Sequence, residues 1–122
     1  AASLRKAARS ELALGKPRAA LALYEKLRAT HPASSEAHTV LPTVGRLRLD
    51  LGDASAALRA FDAYLNRPGT LAPEALSGKI RALRALGQRS AERAAVEQYL
   101  ARYPKGLERP LLERRLAELG GP

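Results

Sequence analysis

The sequence predicts an all-α protein built from stacked helical hairpins, and three observations carry that prediction. Apolar residues make up 46% of the chain but aromatics only 4%, so the core has to be assembled mainly from Leu and Ala. Both are strong helix formers, and the β-favouring Val, Ile and Thr are sparse. Three stretches then spell a similar phrase: LALGKPRAALALYEKLRATHP (Leu12 to Pro32), LDLGDASAALRAFDAYLNRP (Leu49 to Pro68) and RALGQRSAERAAVEQYLARYP (Arg84 to Pro104). Their turn glycines, Gly15, Gly52 and Gly87, stand 37 and 35 residues apart, the period of a helical-hairpin repeat.

Taken in order, Leu4, Ala7, Ala8 and Leu12 recur at helical spacing and predict a first helix over about 3–14. Gly15 closes it where a positive φ is cheap, and Pro17 opens the second helix, about 17–30, in its first turn. Ala20, Leu23, Tyr24 and Leu27 share one face of that helix, and His31-Pro32 stops it. Ser34 or Ser35 is placed to cap a third helix over about 35–51. Pro42 lies well inside that span, which predicts a kink near 38–42 or a later helix start. The fourth helix covers about 54–66, Pro68-Gly69 breaks the chain, and Pro73 opens a fifth that runs to about 86. A sixth covers about 90–102 before a stop at Tyr103-Pro104-Lys105-Gly106. Pro110 starts a seventh, with Leu112, Leu116 and Leu119 on its inner face and Glu108, Arg109, Glu113 and Arg114 expected in solvent. Hairpins over about 2–32, 35–68 and 72–104, with a capping helix over about 109–119, make one expected domain, because a repeat cannot bury its apolar face alone.

These residues resemble the tetratricopeptide repeat. Its pattern of a small residue, an aromatic four places on and a proline at the hairpin's end is met by Ala20, Tyr24 and Pro32, and again by Ala57, Phe61 and Pro68. Leu41-x2-Val44-Gly45 matches the front half of the pattern in the second hairpin, and Leu4-x2-Ala7-Ala8 keeps the small residue in the first. The third hairpin departs: Ala91 sits one place early, Val96 replaces the aromatic and Ile80 takes the small position, so its helices are expected to pack with a shifted contact. The resemblance implies a right-handed α-solenoid of about three hairpins plus the cap.

It also implies a groove lined by the first helix of each hairpin. The family's groove positions fall on Arg5, Arg9 and Leu12, on Thr39, Pro42, Arg46 and Leu49, and on Ser77, Arg81 and Arg84. Five arginines beside two leucines suit an extended peptide carrying carboxylates, which Arg binds bidentately. The Lys and Asn pattern of the repeats that clamp chaperone tails is missing, with Pro42-Thr43 and Glu74 at matching places, so that ligand is not expected. RPGTLAPEAL and the ARYP ending also look like bacterial envelope members such as the periplasmic partner of the Tol-Pal system, which slightly favours a periplasmic or envelope location.

The formal charge is +9, with sixteen Arg against five Lys. High-GC coding bias accounts for that skew, and a preference for anionic partners is the functional alternative. Cysteine is absent, which removes thiolate metal sites, disulfides and Cys nucleophiles. No apolar run is long enough to span a membrane. The chain opens Ala1-Ala2 without Met, as expected of a processed or excised piece of something longer. His31 and His38 read as solvated, and no nucleophile–base pair or phosphate loop occurs, so no catalysis, metal or cofactor is expected. The function expected is a protein-interaction scaffold for a partner with acidic segments. Nucleic-acid binding through the basic surface, and self-association through an uncovered apolar N-terminal end at Leu4, are the alternatives.

Overall fold

The computed structural model describes residues 1–120. Eight α-helices follow one another: α1 (Ala2–Ala13), α2 (Pro17–Thr30), α3 (Ser35–Thr39), α4 (Leu41–Asp50), α5 (Ala54–Leu65), α6 (Ala72–Ala85), α7 (Arg89–Arg102) and α8 (Arg109–Gly120). Among the described residues there are no strands, and each helix packs chiefly on its neighbours in sequence, α1 on α2, α4 on α5, α5 on α6, α6 on α7 and α7 on α8. The architecture is an α-solenoid.

The three turns are built alike. Gly15, Gly52 and Gly87 adopt φ of 74°, 85° and 70°, where a side chain would clash with the backbone. Each turn carries the same pair of bonds, for example Gly15 N–H to Leu12 O at 3.0 Å and Lys16 N–H to Glu11 O at 2.9 Å. Asp53 N–H to Arg48 O and Gln88 N–H to Leu83 O repeat the second of these. This pattern satisfies the last carbonyls of a helix and fixes the exit direction of the chain. Pro17 then starts α2, and the Asp53 carboxylate accepts the Ala56 N–H to cap α5.

The Pro42 expectation is met by a break. Ser34 Oγ accepts the Ala37 N–H and starts α3, which ends at Thr39, and α4 begins at Leu41 with Pro42 in its first turn. A proline N has no hydrogen to donate, and in a first turn none is needed. His38 departs from its solvated expectation. Its ring stacks on Tyr64, with centroids 4.9 Å apart, and its Nε2 lies 2.8 Å from Arg67 O. His38 is therefore half-buried against the far end of α5, next to the helix break at Val40.

Two contiguous cores result. The larger joins the first two hairpins through Ala8, Ala20, Tyr24, Leu27, Val44 and Phe61, with Ala75 and Ala82 contributed by α6. At its centre, the Phe61 ring lies between α4 and α6. A Cβ added at Gly45 would come within 2.6 Å of that ring, and one added at Gly78 would collide with the same edge of it, at Cζ and Cε1. Close approach of two helices to one aromatic therefore depends on both glycines. Leu76, Ile80, Leu83, Ala95, Val96, Tyr99 and Leu112 form the smaller core.

The third hairpin solves its packing differently, as its irregular sequence requires. Counting from the turn glycines, Glu92 stands where Ala20 and Ala57 stand, and it is 1% exposed. Its two carboxylate oxygens accept from Arg115 Nε at 2.6 Å and from Arg115 Nη2 at 2.8 Å. Arg115 also reaches Glu118 at 3.1 Å, and these carboxylates hold its guanidinium further above its already high ordinary range. The capping helix is thus fixed by one bidentate pair together with buried Leu112 and half-buried Leu116 and Leu119. Ala91, by contrast, is exposed. Glu108, expected in solvent, is half-buried and accepts the Ser77 hydroxyl at 2.8 Å, because the α7–α8 loop folds back onto α6.

Two predictions follow from this packing. Gly78→Ala gains about 1 kcal/mol of helix propensity yet is expected to destabilise the fold, because overpacking costs about 1–3 kcal/mol; Phe61→Ala is expected to cost about 3–5 kcal/mol. Urea unfolding measures both, and a more stable Gly78→Ala protein would contradict the packing. Arg115→Ala strands the buried Glu92 carboxylate, so it should melt below the double variant Glu92→Ala/Arg115→Ala. Equal melting temperatures for the two would contradict the latch.

Candidate groove between the second and third hairpins

Arg46, Arg81 and an apolar wall meet at an open groove of about 740 Å³. Helix α4 contributes Pro42, Thr43 and Arg46, and α5 contributes Phe61 at the floor. Pro73, Glu74, Ser77, Gly78 and Arg81 come from α6 at spacings of three and four, hence from one face of that helix. The opposite wall is the end of α7 and the loop after it, from Tyr99 and Arg102 to Leu107 and Glu108.

The loop wall is held by short-range contacts. Tyr103 N–H bonds to Tyr99 O at 2.8 Å, Gly106 N–H bonds to Tyr103 O at 2.9 Å, and the Ser77–Glu108 bond ties the loop's end to α6. A Cβ on Gly106 would come within 2.6 Å of the Tyr99 hydroxyl. Leu107 is left 97% exposed at the rim.

The expected groove residues divide in three. Arg46 and Arg81, with Pro42 and Ser77, line the cavity; Arg5, Arg9, Leu12, Leu49 and Arg84 do not. Arg5 and Arg9 nevertheless gather near Arg46 around the Tyr24 phenol, whose ionisation all three favour. Leu12 and Leu49 are half-buried against the larger core, and Arg84 is exposed near the end of α6. Tyr99, Arg102, Tyr103, Lys105 and Leu107 line the groove without having been expected there. Only the high polarity and the glycine of the YPKG stop signalled a loop at that place, and loop conformation has no periodicity to read.

A minority of the basic residues are ion-paired. Arg48 pairs with Glu25 and Asp53 at 3.3 and 3.8 Å, and Lys79 pairs with Asp62 at 2.9 Å. No carboxylate lies within ion-pair distance of Arg5, Arg9, Arg46, Arg81, Arg84, Arg102 or Lys105 among the described residues. Their charge is therefore directed at solvent or at a ligand. No group of three metal-ligating side chains occurs among the described residues. No helix among them is long and apolar enough to cross a membrane.

Burial pushes the phenols of Tyr24 and Tyr99 above their ordinary value of 10.0. The arginines around Tyr24, and the Glu108 backbone at Tyr99, oppose the shift without cancelling it. The folded state then holds these protons more tightly than the unfolded chain. Their contribution to stability is intact below pH 10.0 and is lost as pH rises through the raised folded values. Denaturant midpoints measured from neutral to alkaline pH should fall above pH 10.0, and less steeply for Tyr24→Phe/Tyr99→Phe. Identical slopes would contradict the burial.

Among protein families, the tetratricopeptide repeat model matches residues 1–44, the first hairpin and the helix start that packs on it. The match supports the repeat resemblance and, with it, a role in protein–protein interaction, which such repeats generally mediate. It is a match to the repeat as such and gives no support to the narrower envelope likeness. None of the curated proteins matches the chain.

Proposed function

We propose that the protein is a non-catalytic interaction scaffold, the whole chain acting as one unit, and that it holds a peptide segment of a partner protein in the groove between α4, α6 and the α7–α8 loop. The observation that carries this reading is the gathering of four basic side chains around one cavity. Arg46, Arg81, Arg102 and Lys105 line an apolar-floored groove and none of them is ion-paired among the described residues, although Glu74 and Glu108 line it as well. An unpaired guanidinium over an apolar floor favours a ligand with carboxylates, since the fork of N–H donors matches a carboxylate and stays charged throughout the physiological range. Arg5 and Arg9 extend the same positive field toward the first hairpin, which speeds encounter with an acidic segment.

Reversing two charges tests the reading. Hydrogen bonds to charged groups contribute about 1.5–3 kcal/mol each, so Arg46→Glu/Arg81→Glu is expected to lower partner retention at least tenfold. Far-UV circular dichroism should stay unchanged, because both side chains are exposed. Pull-downs from extract of the source organism, quantified against the wild type, supply the readout. Undiminished retention of the same polypeptides by the double variant would overturn the groove assignment.

A further inference from the structure

The aromatic of the first hairpin differs from that of the second by one oxygen, and that oxygen has no partner. Tyr24 stands nine positions after Gly15, as Phe61 does after Gly52, and it packs in the same core beside Ala8 and Val44. In the second hairpin the ring lies between α4 and α6, with Cζ and Cε1 against Gly78. The shared register sends the Tyr24 ring between α1 and α4, and its hydroxyl extends from the corresponding Cζ. Tyr24 is 3% exposed, yet among the described residues no hydrogen bond involves that oxygen. The Tyr64 hydroxyl, by contrast, accepts the Gly69 and Leu71 N–H groups, as a buried phenol usually finds a partner. The Tyr24 oxygen is not sealed off either. Among the described residues every fully enclosed side-chain nitrogen or oxygen has a partner, so this one reaches the surface.

Its surroundings are cationic. Arg9 and Arg46 each stand six positions before their turn glycine, and Arg5 lies one turn before Arg9 on the same face of α1. The charges that act on the Tyr24 phenol are these three guanidiniums and no carboxylate. None of the three is ion-paired among the described residues. Three lasting positive charges and a free hydroxyl donor thus come together from α1, α4 and α2.

We propose that Arg5, Arg9, Arg46 and the Tyr24 hydroxyl bind a phosphomonoester dianion, at a site that shares only Arg46 with the peptide groove. One guanidinium fork satisfies a planar carboxylate, which would leave two charges and the phenol unanswered. A phosphomonoester carries about −1.5 to −2 charge near neutral pH and three strong acceptor oxygens. Its tetrahedral oxygens suit donors that arrive from three helices. A phosphodiester lacks both the second charge and the third terminal oxygen, so a nucleic-acid backbone fits the site poorly.

Isothermal titration calorimetry of the full chain at constant ionic strength tests the site with methyl phosphate, inorganic phosphate, dimethyl phosphate and acetate. The first two should bind about tenfold tighter than the last two, or better. Their affinity should rise with pH through about 6, where the second phosphate proton leaves; charging of His31 and His38 at low pH would act in the opposite sense. Tyr24→Phe, which installs the residue the second hairpin uses at this place, should keep its helicity and bind methyl phosphate about tenfold more weakly. Arg114→Gln, which removes a charge from the exposed face of α8, should bind it as the wild type does. A phosphoserine peptide in a Gly/Ser background identifies the source of the dianion. Tighter binding than methyl phosphate assigns it to a phosphorylated side chain, and equal binding to a small molecule. Acetate or dimethyl phosphate binding as tightly as methyl phosphate overturns the proposal. Undiminished binding by Tyr24→Phe overturns it too, as does the absence of saturable binding by methyl phosphate.

Discussion

The placement of Phe61 between two glycines is the constraint on which the rest of the structure depends. The ring is 2% exposed and meets α4 at Gly45 and α6 at Gly78. Any side chain at either glycine would hold one helix away from it. Because both are bare, the first helices of two successive hairpins come alongside each other over one aromatic. That closeness decides what faces outward. Arg46 and Arg81 are close neighbours of the two glycines in sequence, so packing around an apolar ring fixes the position of two charges.

The third hairpin shows what happens when the same constraint is relaxed. Val96 takes the aromatic's place and Ile80 the small residue's, and α6 and α7 pair less closely than the helices of the first two hairpins. Glu92 occupies the position that is Ala in both other hairpins, and a bare carboxylate buried there would be costly. Arg115 resolves this by reaching from α8 with two parallel bonds. Such a pair adds little net stability over a well-packed apolar contact, but removing one partner leaves an uncompensated buried charge. A cap held this way cannot be replaced by another repeat without stranding a charge. The α7–α8 loop that follows from this docking supplies one wall of the groove.

Much of this was legible in the sequence because it is periodic or sterically forced. The turn glycines, the break at Pro42 and the leucines of the cap each follow from a local rule that tertiary context did not override. Ala91, one place early, marks the third hairpin as irregular, but the burial of Glu92 depends on Arg115, 23 positions away, and leaves no local pattern. Gly78 is unfavourable within a helix by propensity alone, and its role shows only in the contact with Phe61. The groove was legible in part. Helical spacing located Arg46 and Arg81, but Tyr103, Lys105 and Leu107 belong to a loop whose path is set by the Ser77–Glu108 bond. A contact spanning 31 positions leaves no trace in a local pattern.

Scaffold and site therefore share a cause, and the central claim is that Phe61 fixes both neighbouring helices at once. Phe61 is the only phenylalanine in the chain, so its ring resonances can be identified without ambiguity. A nuclear Overhauser spectrum of the labelled protein tests the claim most directly. The account predicts strong cross-peaks from the Phe61 ring to the Hα protons of both Gly45 and Gly78. Cross-peaks to one glycine alone, or to neither, would contradict it and would remove the physical basis for bringing Arg46 and Arg81 into one groove.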